Sequence, residues 1–447
     1  MDATHAQQRK AMVVGLGKTG LSAARYLHAQ GYRVAVTDSR VAPPGLDALR
    51  DALPDAAVFV GGFSDVALAN ADIVVVSPGV PLHDPFIDHV RATGVEPVGD
   101  IELFARVATK PVVAVTGSNG KSTVATLFAI MAETASVRVG LGGNVGVPAL
   151  DMLLQDDELY VLELSSFQLE STRSLAPAAA VILNVTPDHI DWHGSMESYA
   201  AAKARIFRNA GVCVFNRDDE WSARLAENLP NAVSFGLNPP VREIDFGIVT
   251  EGGSDWLARG AKPLIRVDEL RLTGTHNHAN ALACLALGDA IELPHAAMLT
   301  ALREFAGLPH RMSPVAERGE VTYVNDSKGT NVGATVAAIS GAGRTLVLIA
   351  GGDGKGQDFS ELAAAMRGKV RHVVLIGKDA AAIEKAIAGE IPVSRANDMS
   401  TAVRIAASKG RPGDMVLLSP ACSSLDMFSN YEARGDAFVQ AVREMPV

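Results

Sequence analysis

A glycine-rich turn with a lysine and two hydroxyl residues stands at Thr116–Thr123, which reads TGSNGKST. It follows an apolar run and precedes a helical pattern, so its backbone N–H groups are predicted to surround phosphate oxygens. Lys121 would reach the β- and γ-phosphates, and Ser122 or Thr123 would hold Mg²⁺. The strict GxxxxGK[ST] pattern fails at its first glycine, where Val115 stands, and the competing interpretation is a capped helix start without a ligand. The other members of this predicted phosphate loop are Gly117, Ser118, Asn119 and Gly120.

One acidic residue, Glu163, lies inside the apolar run Tyr160–Leu164. A carboxylate in a buried strand is costly unless it is paired or bound to a metal. Enzymes with phosphate loops commonly hold Mg²⁺ with an acid on a neighbouring strand. Pairing with an arginine or with capping N–H groups is the alternative, but beside a predicted phosphate loop we favour a metal ligand.

Two histidines, His189 and His193, follow the apolar run Ala180–Val185 and have the i, i+4 spacing of a zinc pair. Zincins need a glutamate directly after the first histidine, and Ile190 stands there instead. Zinc is therefore disfavoured, since no third ligand is evident either. We predict that His189 alone turns toward a phosphate-bound Mg²⁺; an exposed loop histidine is the alternative.

A second glycine-rich turn, Gly15–Gly20, has the GxGxxG pattern between an apolar run and a helical pattern, and Asp38 ends the next apolar run. This order matches a dinucleotide-binding fingerprint, in which the helix N-terminus binds phosphate and the acid accepts a hydrogen bond from a ribose hydroxyl. The pattern does not specify NAD, because any nucleoside diphosphate presents the same oxygens and ribose. The alternative is a tight turn without a ligand.

These residues lie between elements that alternate along almost the whole chain, which predicts an α/β fold with mainly parallel sheets. The predicted strands include Ala11–Val14, Ile73–Val76, Val112–Val115, Tyr160–Leu164, Ala180–Val185, Thr345–Ala350, His372–Ile376 and Met415–Leu418. The predicted helices include Leu21–Gln30, Ser122–Glu133, Tyr199–Asn209, Asn280–Glu292 and Phe359–Met366. In such sheets, sites gather in the loops after the carboxyl ends of strands.

Two stretches rich in Gly and Pro, Thr93–Gly99 and Gly307–Pro314, look like domain joints. The length of 447 residues agrees with about three domains. Residues 236–270 are less periodic, and we expect strands or a loop excursion there.

The composition excludes several classes of protein. With 48% hydrophobic and 20% charged residues, disorder and fibrous repeats are poor interpretations. The net charge, 40 − 50 = −10, disfavours a general nucleic-acid binder. Three dispersed cysteines cannot form a disulfide framework, and no apolar run approaches the ~18 residues of a membrane span. We therefore expect a soluble cytoplasmic protein.

Together the motifs resemble those of the ATP-dependent Mur ligases of bacterial peptidoglycan synthesis, over essentially the whole chain. The stretches that carry the resemblance are Gly15–Gly20, Ser77–Gly79, Thr116–Thr123, Gly142–Gly146, Leu162–Leu169, Asp188–His189, Ala202–Lys203, His276–Asn277 with Asn280, Gly307–Arg311, Asn325–Asn331, Gly351–Lys355 and Leu418–Asp426. The Asp-Asn-Pro-Arg motif of the diaminopimelate- or lysine-adding relatives is absent. Leu164–Gln168 and Ser419–Asp426 favour the member that adds D-glutamate.

The resemblance implies three domains: a Rossmann-like domain over 1–98 for the UDP-linked substrate, a central ATP-binding domain over 99–308, and a Rossmann-like amino-acid-binding domain over 309–447. By likeness, the residues around the UDP-linked substrate are Lys18, Thr19, Asp38, Ser39, Arg40, Ser77, Gly79 and Asn144. Those implied to contact D-glutamate are Thr330, Lys355, Ser424 and Tyr431.

For the nucleotide, the resemblance implies that Lys121 and Ser122 hold phosphates and Mg²⁺, that Glu163 binds a first metal ion, and that His189 binds a second. It also implies a carbamylated Lys203, because CO₂ converts the ammonium of the family's lysine into an anionic oxygen ligand. The remaining implied contacts to ATP are Asn277 and Asn280 on adenine, Arg311 and Asp326 elsewhere, and Lys328 near the transferred phosphoryl group.

The implied activity is ATP-dependent addition of D-glutamate to UDP-N-acetylmuramoyl-L-alanine through an acyl phosphate, by a monomer without nucleic-acid or membrane partners. A folylpolyglutamate synthetase-like ligase is an alternative that the UDP-type domain disfavours. A nicotinamide-dependent oxidoreductase would use Gly15–Gly20 but leave Lys121, Glu163 and Lys328 without a role. A non-catalytic nucleotide switch is the last alternative.

Overall fold

The computed structural model describes residues 9–69, 71–272 and 274–445. These residues divide into two compact units. The first unit contains the chain up to 185 together with 197–270 and 279–304, and the second contains 186–196, 271–278 and the chain from 305 onward. Within the described chain there are three β-sheets, of five, nine and six strands.

The first sheet has the strand order β3-β2-β1-β4-β5, and every pair in it is parallel. Its strands are β1 (Lys10–Val14), β2 (Arg33–Asp38), β3 (Ala57–Val60), β4 (Ile73–Val76) and β5 (Pro97–Val98). The accompanying helices are α1 (Lys18–Ala29), α2 (Leu46–Ala52), α3 (Asp65–Leu68), α4 (Pro85–Ala92) and α5 (Asp100–Ala105). The order reverses between β1 and β4, and a ligand crevice is expected at such a switch point.

The second sheet has the order β14-β13-β12-β11-β10-β9-β6-β8-β7, with β12–β14 antiparallel at one edge. Its strands are β6 (Val112–Thr116), β7 (Val139–Gly143), β8 (Leu159–Glu163), β9 (Ala179–Ile182), β10 (Val212–Asn216), β11 (Ala232–Phe235), β12 (Phe246–Glu251), β13 (Ser254–Arg259) and β14 (Lys262–Arg266). The helices of this region are α6 (Lys121–Thr134), α7 (Ala149–Met152), α8 (Ser166–Glu170), α9 (Ile190–His193), α10 (Met196–Ala204), α11 (Glu220–Ala226), α12 (Thr275–Ala290) and α13 (His295–Glu304), with short 3-10 turns at Arg205–Phe207 and Val267–Glu269.

The third sheet has the order β15-β16-β20-β17-β18-β19, parallel except for the edge pair β15 and β16. Its strands are β15 (Ser313–Arg318), β16 (Val321–Asn325), β17 (Leu346–Gly351), β18 (Val370–Ile376), β19 (Val393–Arg395) and β20 (Met415–Leu418). Its helices are α14 (Val332–Gly341), α15 (Ser360–Met366), α16 (Ala380–Ile387), α17 (Met399–Lys409) and α18 (Tyr431–Glu444).

The central strands of the second and third sheets are mainly apolar and buried along their whole length because both of their faces are covered. Every residue of β6, β8 and β20 is buried, as is every residue of β17. Since the apolar residues fill the strands, the polar residues come just after them, at the carboxyl edge of each sheet.

The predicted α/β fold with Rossmann-like ends and a central ATPase-type domain is confirmed, and every predicted strand and helix has a counterpart within a few residues. Residues 236–270 form the antiparallel strands β12–β14. The predicted domain limits at 98 and 308 stay a prediction. Over the described part of the chain, no helix is long and apolar enough to cross a membrane.

Candidate functional site

In the turn after β1, the backbone of Gly15 packs tightly against Gly20 and Ser77. Gly15 has φ +90°, and the Ser77 hydroxyl, just after β4, donates to its carbonyl at 2.7 Å. A Cβ on Gly20 would lie 1.9 Å from the Gly15 carbonyl oxygen, so the first turn of α1 requires glycine there. The loops after β1 and β4 therefore meet at the point where the strand order reverses.

A cavity of about 410 Å³ opens at this point, in the first compact unit. All eight residues predicted around the UDP-linked substrate line it, namely Lys18, Thr19, Asp38, Ser39, Arg40, Ser77, Gly79 and Asn144. Gln168 and Phe63 line it as well, and neither was among the predicted contacts. Their roles toward a ligand stay predictions, but the structure brings the whole set together.

Asp38 is engaged by its own neighbours. Arg40 donates to it from Nε, Nη2 and its backbone N–H, and the Leu16 N–H donates at 2.7 Å. Burial opposes ionisation, but the hydrogen bonds from Arg40 and Leu16 outweigh it and hold the pKa of the Asp38 carboxyl at about 2. These bonds use the acceptor positions of the carboxylate. The predicted bond to a ribose hydroxyl thus requires Arg40 to release it, whereas the half-exposed Arg40 guanidinium faces the cavity directly.

The predicted phosphate loop connects β6 to α6. Gly120 precedes the helix with φ +88°, and a Cβ there would meet the Asn280 Oδ1 atom at 2.7 Å. The Lys121 ammonium folds back over the loop and donates to the carbonyls of Gly117 and Ser118 at 2.8 and 2.9 Å. The first turn of α6 thus presents backbone amides, an ammonium group and hydroxyls together, which suits a polyphosphate.

Glu163 ends β8, next to this loop. Its carboxylate accepts from the Ser122 hydroxyl at 2.6 Å and from the Asn144 side chain at 2.9 Å. Thr123 Oγ1 is buried and has no hydrogen-bond partner in the described chain. Asn144 also lines the cavity, so Glu163 stands between the phosphate loop and the cavity.

These oxygen donors fit Mg²⁺, which takes one or two carboxylates and completes its shell with water and phosphate oxygens. Among the residues that the structure describes, no group of three or more His, Cys, Asp or Glu side chains is arranged to hold a metal ion. A zinc site at His189 and His193 gains no support from this finding. Glu163 therefore suits a cation such as Mg²⁺, which would take its remaining ligands from phosphate and water.

Lys203 is buried in α10, with 1% of its surface exposed. Its ammonium donates to the Gly117 carbonyl at 2.9 Å and lies 4.4 Å from the centroid of the Tyr199 ring. The Tyr199 hydroxyl in turn shares a 3.0 Å hydrogen bond with that of Ser118. Lys121 and Lys203 therefore converge on one carbonyl of the phosphate loop.

The second compact unit holds His189, Asn277 and the predicted residues from Arg311 onward, whereas Asn280 belongs to the first unit. His189 has φ +53° and stands directly before α9, with its Nε2 atom 3.6 Å from the carboxylate of Asp188. Asp188 also accepts from the side chain of Asn331 at 3.3 Å. Asn277 is buried near the start of α12. The predicted roles of His189 and Asn277 toward ATP stay predictions.

Asp326 follows β16 and is buried. Burial raises the pKa of its carboxyl to about 6, although the charge of Arg311 and a hydrogen bond from Ser419 favour the ionised form. Arg311 and Asp326, which are both predicted to contact ATP, thus interact electrostatically with each other within one compact unit.

The predicted D-glutamate residues lie on loops that are tied together. Backbone hydrogen bonds join Ala421 to Gly329 and Asp353 to Ser423, so the loops after β16, β17 and β20 meet. These loops carry Thr330, Lys355 and Ser424. The Lys328 ammonium lies 5.1 Å from the centroid of the Tyr431 ring, at the start of α18.

Three residues with clear structural roles escaped sequence analysis: Gln168, Asn184 and Arg434. Gln168 belongs to a capping box with Ser165, and that S-x-x-Q signal is visible in the sequence. Asn184 and Arg434 bond to backbone groups far away in the sequence. No local pattern signals such contacts.

The fold and these loops define a nucleotide-binding α/β enzyme built of domains. Three family models match the chain: the Mur ligase MurD-like N-terminal domain over 9–99, the Mur ligase middle domain over 115–288, and the Mur ligase glutamate ligase domain over 310–422. The chain belongs to the Mur ligase family, whose members form amide bonds and use ATP and Mg²⁺.

Curated relatives cover nearly the whole chain. A UDP-N-acetylmuramoylalanine--D-glutamate ligase of Nitrosococcus oceani is 50% identical over 437 residues, which is 97% of this chain and 96% of the relative. An enzyme of the same name from Pseudomonas aeruginosa is 50% identical over 438 residues, 97% and 98% of the two chains.

Solved structures resemble the fold at low identity. UDP-N-acetylmuramate-alanine ligase MurC from Thermotoga maritima has a TM-score of 0.63 at 19% identity, covering 97% of this chain and 99% of its own. A pseudomurein peptide ligase type C from Methanothermus fervidus has a TM-score of 0.62 at 17% identity, with coverage of 98% and 100%. These likenesses bear on the fold alone.

Proposed function

We propose that this enzyme adds D-glutamate to UDP-N-acetylmuramoyl-L-alanine, using ATP and releasing ADP and phosphate. The two curated relatives are named for this activity, and this chain matches them over nearly their whole length. The observation that carries the proposal is the position of Glu163, whose carboxylate bonds both to Ser122 in the phosphate loop and to Asn144 at the cavity. A phosphoryl donor and a sugar-nucleotide carboxylate would meet there.

In this proposal the substrate is bound by the cavity between β1 and β4. Arg40 and Lys18 would offer cationic groups to the diphosphate, and Ser77 and Gly79 form part of the cavity wall. The terminal carboxylate of the bound alanine would then extend past Asn144 toward Glu163. Holding this carboxylate in line with the γ-phosphate supplies much of the catalysis, because phosphoryl transfer depends on alignment and charge stabilisation.

The reaction consists of two displacements. A carboxylate oxygen attacks the γ-phosphorus and the bond to ADP breaks, which gives an acyl phosphate. The amine of D-glutamate attacks the acyl carbon, the bond to phosphate breaks, and a proton is released as the amide forms. Lys121 would neutralise phosphate oxygens during the first step, and Lys328 would do so near the transferred group.

Glu163 and Ser122 would hold a first Mg²⁺ ion, and His189 would bind a second. A carbamate on Lys203 would serve as a further oxygen ligand for magnesium. When bound, Mg²⁺ supplies positive charge to the phosphate oxygens. A carbamate would suit Lys203, because a buried ammonium is costly while a carbamate offers oxygen donors to a cation.

The proposed nucleotide contacts beyond the loop are Asn277, Asn280, Arg311 and Asp326, and the proposed D-glutamate contacts are Thr330, Lys355, Ser424 and Tyr431. We also propose that the enzyme acts as a monomer in the cytoplasm. Its three cysteines are all free, as suits a reducing compartment.

The test is phosphate release from ATP with UDP-N-acetylmuramoyl-L-alanine and D-glutamate, with each substrate omitted in turn. We expect release at full rate only when both are present, together with a product whose mass equals that of the two joined substrates less one water. Release that ignores either substrate would instead indicate a nucleotide switch. Activity with a folate in place of the sugar nucleotide, or a requirement for a nicotinamide, would also contradict the proposal.

A further inference from the structure

Asn184 lies just beyond β9, the strand beside the phosphate loop's own strand β6. Its carboxamide makes a reciprocal pair with the backbone of Asn119: the Asn119 N–H donates to Oδ1 at 2.8 Å, and Nδ2 donates to the Asn119 carbonyl at 3.0 Å. The Ser118 N–H donates to the Asn184 carbonyl at 2.9 Å. Three hydrogen bonds thus bind the loop to one residue.

This pairing matters because the loop has little regular structure of its own. Gly120 has φ +88°, and Ser118 and Asn119 before it belong neither to β6 nor to α6. The carboxamide of Asn184 supplies the donor and the acceptor that a neighbouring β-strand would otherwise offer to the Asn119 backbone. It engages the Asn119 carbonyl, an oxygen that would otherwise repel phosphate, and leaves the amides at the start of α6 to face an anion.

We propose that Asn184 is a positioning residue for the bound nucleotide, which keeps the loop segment Ser118–Asn119 in the conformation that accepts the polyphosphate. Asn184 acts through the loop backbone and does not touch the reacting atoms. The inference rests on the proposed function only in taking ATP as the ligand of this loop.

Asn216, at the end of the neighbouring strand β10, provides a matched control position. Asn216 ends β10, is partly buried like Asn184, and also bonds through its carboxamide to backbone, donating to the Leu183 carbonyl at 3.0 Å and accepting from the Asp218 N–H at 3.0 Å. No hydrogen bond in the described structure joins the Asn216 side chain to the phosphate loop. It therefore controls for the general effect of altering an asparagine at a strand end.

The experiment uses Asn184→Asp, which preserves the shape of the side chain but replaces the Nδ2 amide donor with an oxygen. As a carboxylate, Asp keeps the acceptor for the Asn119 N–H, loses the donor to its carbonyl and adds repulsion. As a neutral acid it again has one donor and one acceptor. Three charged groups bond to backbone next to this position: Lys121 and Lys203 donate to the Gly117 carbonyl, and Asp219 accepts from the Val185 N–H.

At pH 8 we expect Asn184→Asp to raise the KM for ATP by about tenfold, the equivalent of one lost hydrogen bond. The KM for the sugar nucleotide and for D-glutamate should stay within twofold of the wild type. As the pH falls and the new carboxyl is protonated, the ratio of variant to wild-type KM for ATP should return toward one. Asn216→Asp should show neither the defect nor the recovery.

The dissociation constant of MgATP, measured by calorimetry on the full-length protein, should follow the same pattern without any turnover. If Asn184→Asp does not fold, Asn184→Ala carries the test, with the same rise in KM and no recovery at low pH. A wild-type KM for ATP in both variants would overturn the inference, as would a defect shared with Asn216→Asp. Tight MgATP binding by a wild type that forms no product would contradict the proposed function and leave this inference intact.

Discussion

Glu163 joins the phosphate loop to the cavity through a single side chain. Its carboxylate accepts from Ser122 on one side and Asn144 on the other, within a strand that is otherwise apolar and buried. The strand fixes the position of this carboxylate, and the two hydrogen bonds stabilise it there. We expect a bound cation to replace the Ser122 proton as a partner of this carboxylate.

The first prediction concerns Lys121. Lys121→Ala should lower turnover at saturating ATP by at least about 100-fold, because the ammonium that neutralises the phosphate oxygens is lost from a preorganised site. Steady-state phosphate release measures this effect. Lys110→Ala, at an exposed position before β6, is the control and should leave turnover unchanged. Near-normal turnover in Lys121→Ala would refute the role given to this lysine.

The second prediction tests a carbamate at Lys203. Lys203→Ala should lose activity by about 100-fold, and short carboxylic acids in the assay should restore part of it, since they can bring the missing oxygen donors. Lys121→Ala serves as the control, because its ammonium donates to the same Gly117 carbonyl but is expected to act as a cation. Wild-type activity without added acid, or equal rescue of both variants, would count against the carbamate.

Among the elements, the strand-end loops of the third sheet depend on α18. Arg434 on that helix is fully buried, and it donates to the Ser327 hydroxyl, the Ser327 carbonyl and the Cys422 carbonyl at 2.8–3.0 Å. Burial lowers the pKa of its guanidinium to about 10, which still leaves it charged at neutral pH. One side chain therefore holds the loops that carry Lys328 and Ser424.

The third prediction is that Arg434→Met lowers the free energy of unfolding by about 2–4 kcal/mol, because three carbonyl or hydroxyl acceptors lose a charged donor. Urea unfolding measures this loss. The KM for D-glutamate should rise more than the KM for the sugar nucleotide, whose cavity lies in the other compact unit. Arg443→Met, with an exposed side chain on the same helix, should change neither quantity. Equal effects on both KM values would contradict a local role.

For the whole molecule, stability should depend on pH through carboxyls buried in different units. Burial raises the pKa of Asp100 to about 6, although a hydrogen bond from Gln168 favours its ionised form. In the unfolded chain this carboxyl has its ordinary pKa of 3.8. Between these values the folded protein binds more protons, so this group's contribution to stability falls as the pH rises through that range.

The fourth prediction is that Asp100→Asn becomes progressively more stable relative to the wild type from pH 4 to pH 7, by up to ~3 kcal/mol. The variant keeps an acceptor for Gln168 but has no proton to lose. Urea unfolding at several pH values gives the difference, and Asp47→Asn, at an exposed position, should show no such trend. A constant difference across this range would mean that Asp100 ionises without penalty in the folded protein.

Much of the architecture could be predicted because short apolar runs and glycine turns are local signals. The runs at Ile73–Val76 and Met415–Leu418 coincide with β4 and β20. The eight residues predicted around the UDP-linked substrate, two of them in the turn Gly15–Gly20, line one cavity as a group. The state of Asp38 could not be predicted in this way, because its engagement by Arg40 and Leu16 depends on side-chain conformation.

The sequence by itself determined which residues are candidates for phosphate, metal and substrate binding, since that information lies in residue type and short spacing. Only the tertiary structure decided that Glu163 connects Ser122 to Asn144, that Lys121 and Lys203 share one carbonyl, and that Asn184 supports the phosphate loop. The physical reason is that parallel strands bring the ends of distant segments to one edge of a sheet. Strand order, which no local pattern encodes, selects the neighbours.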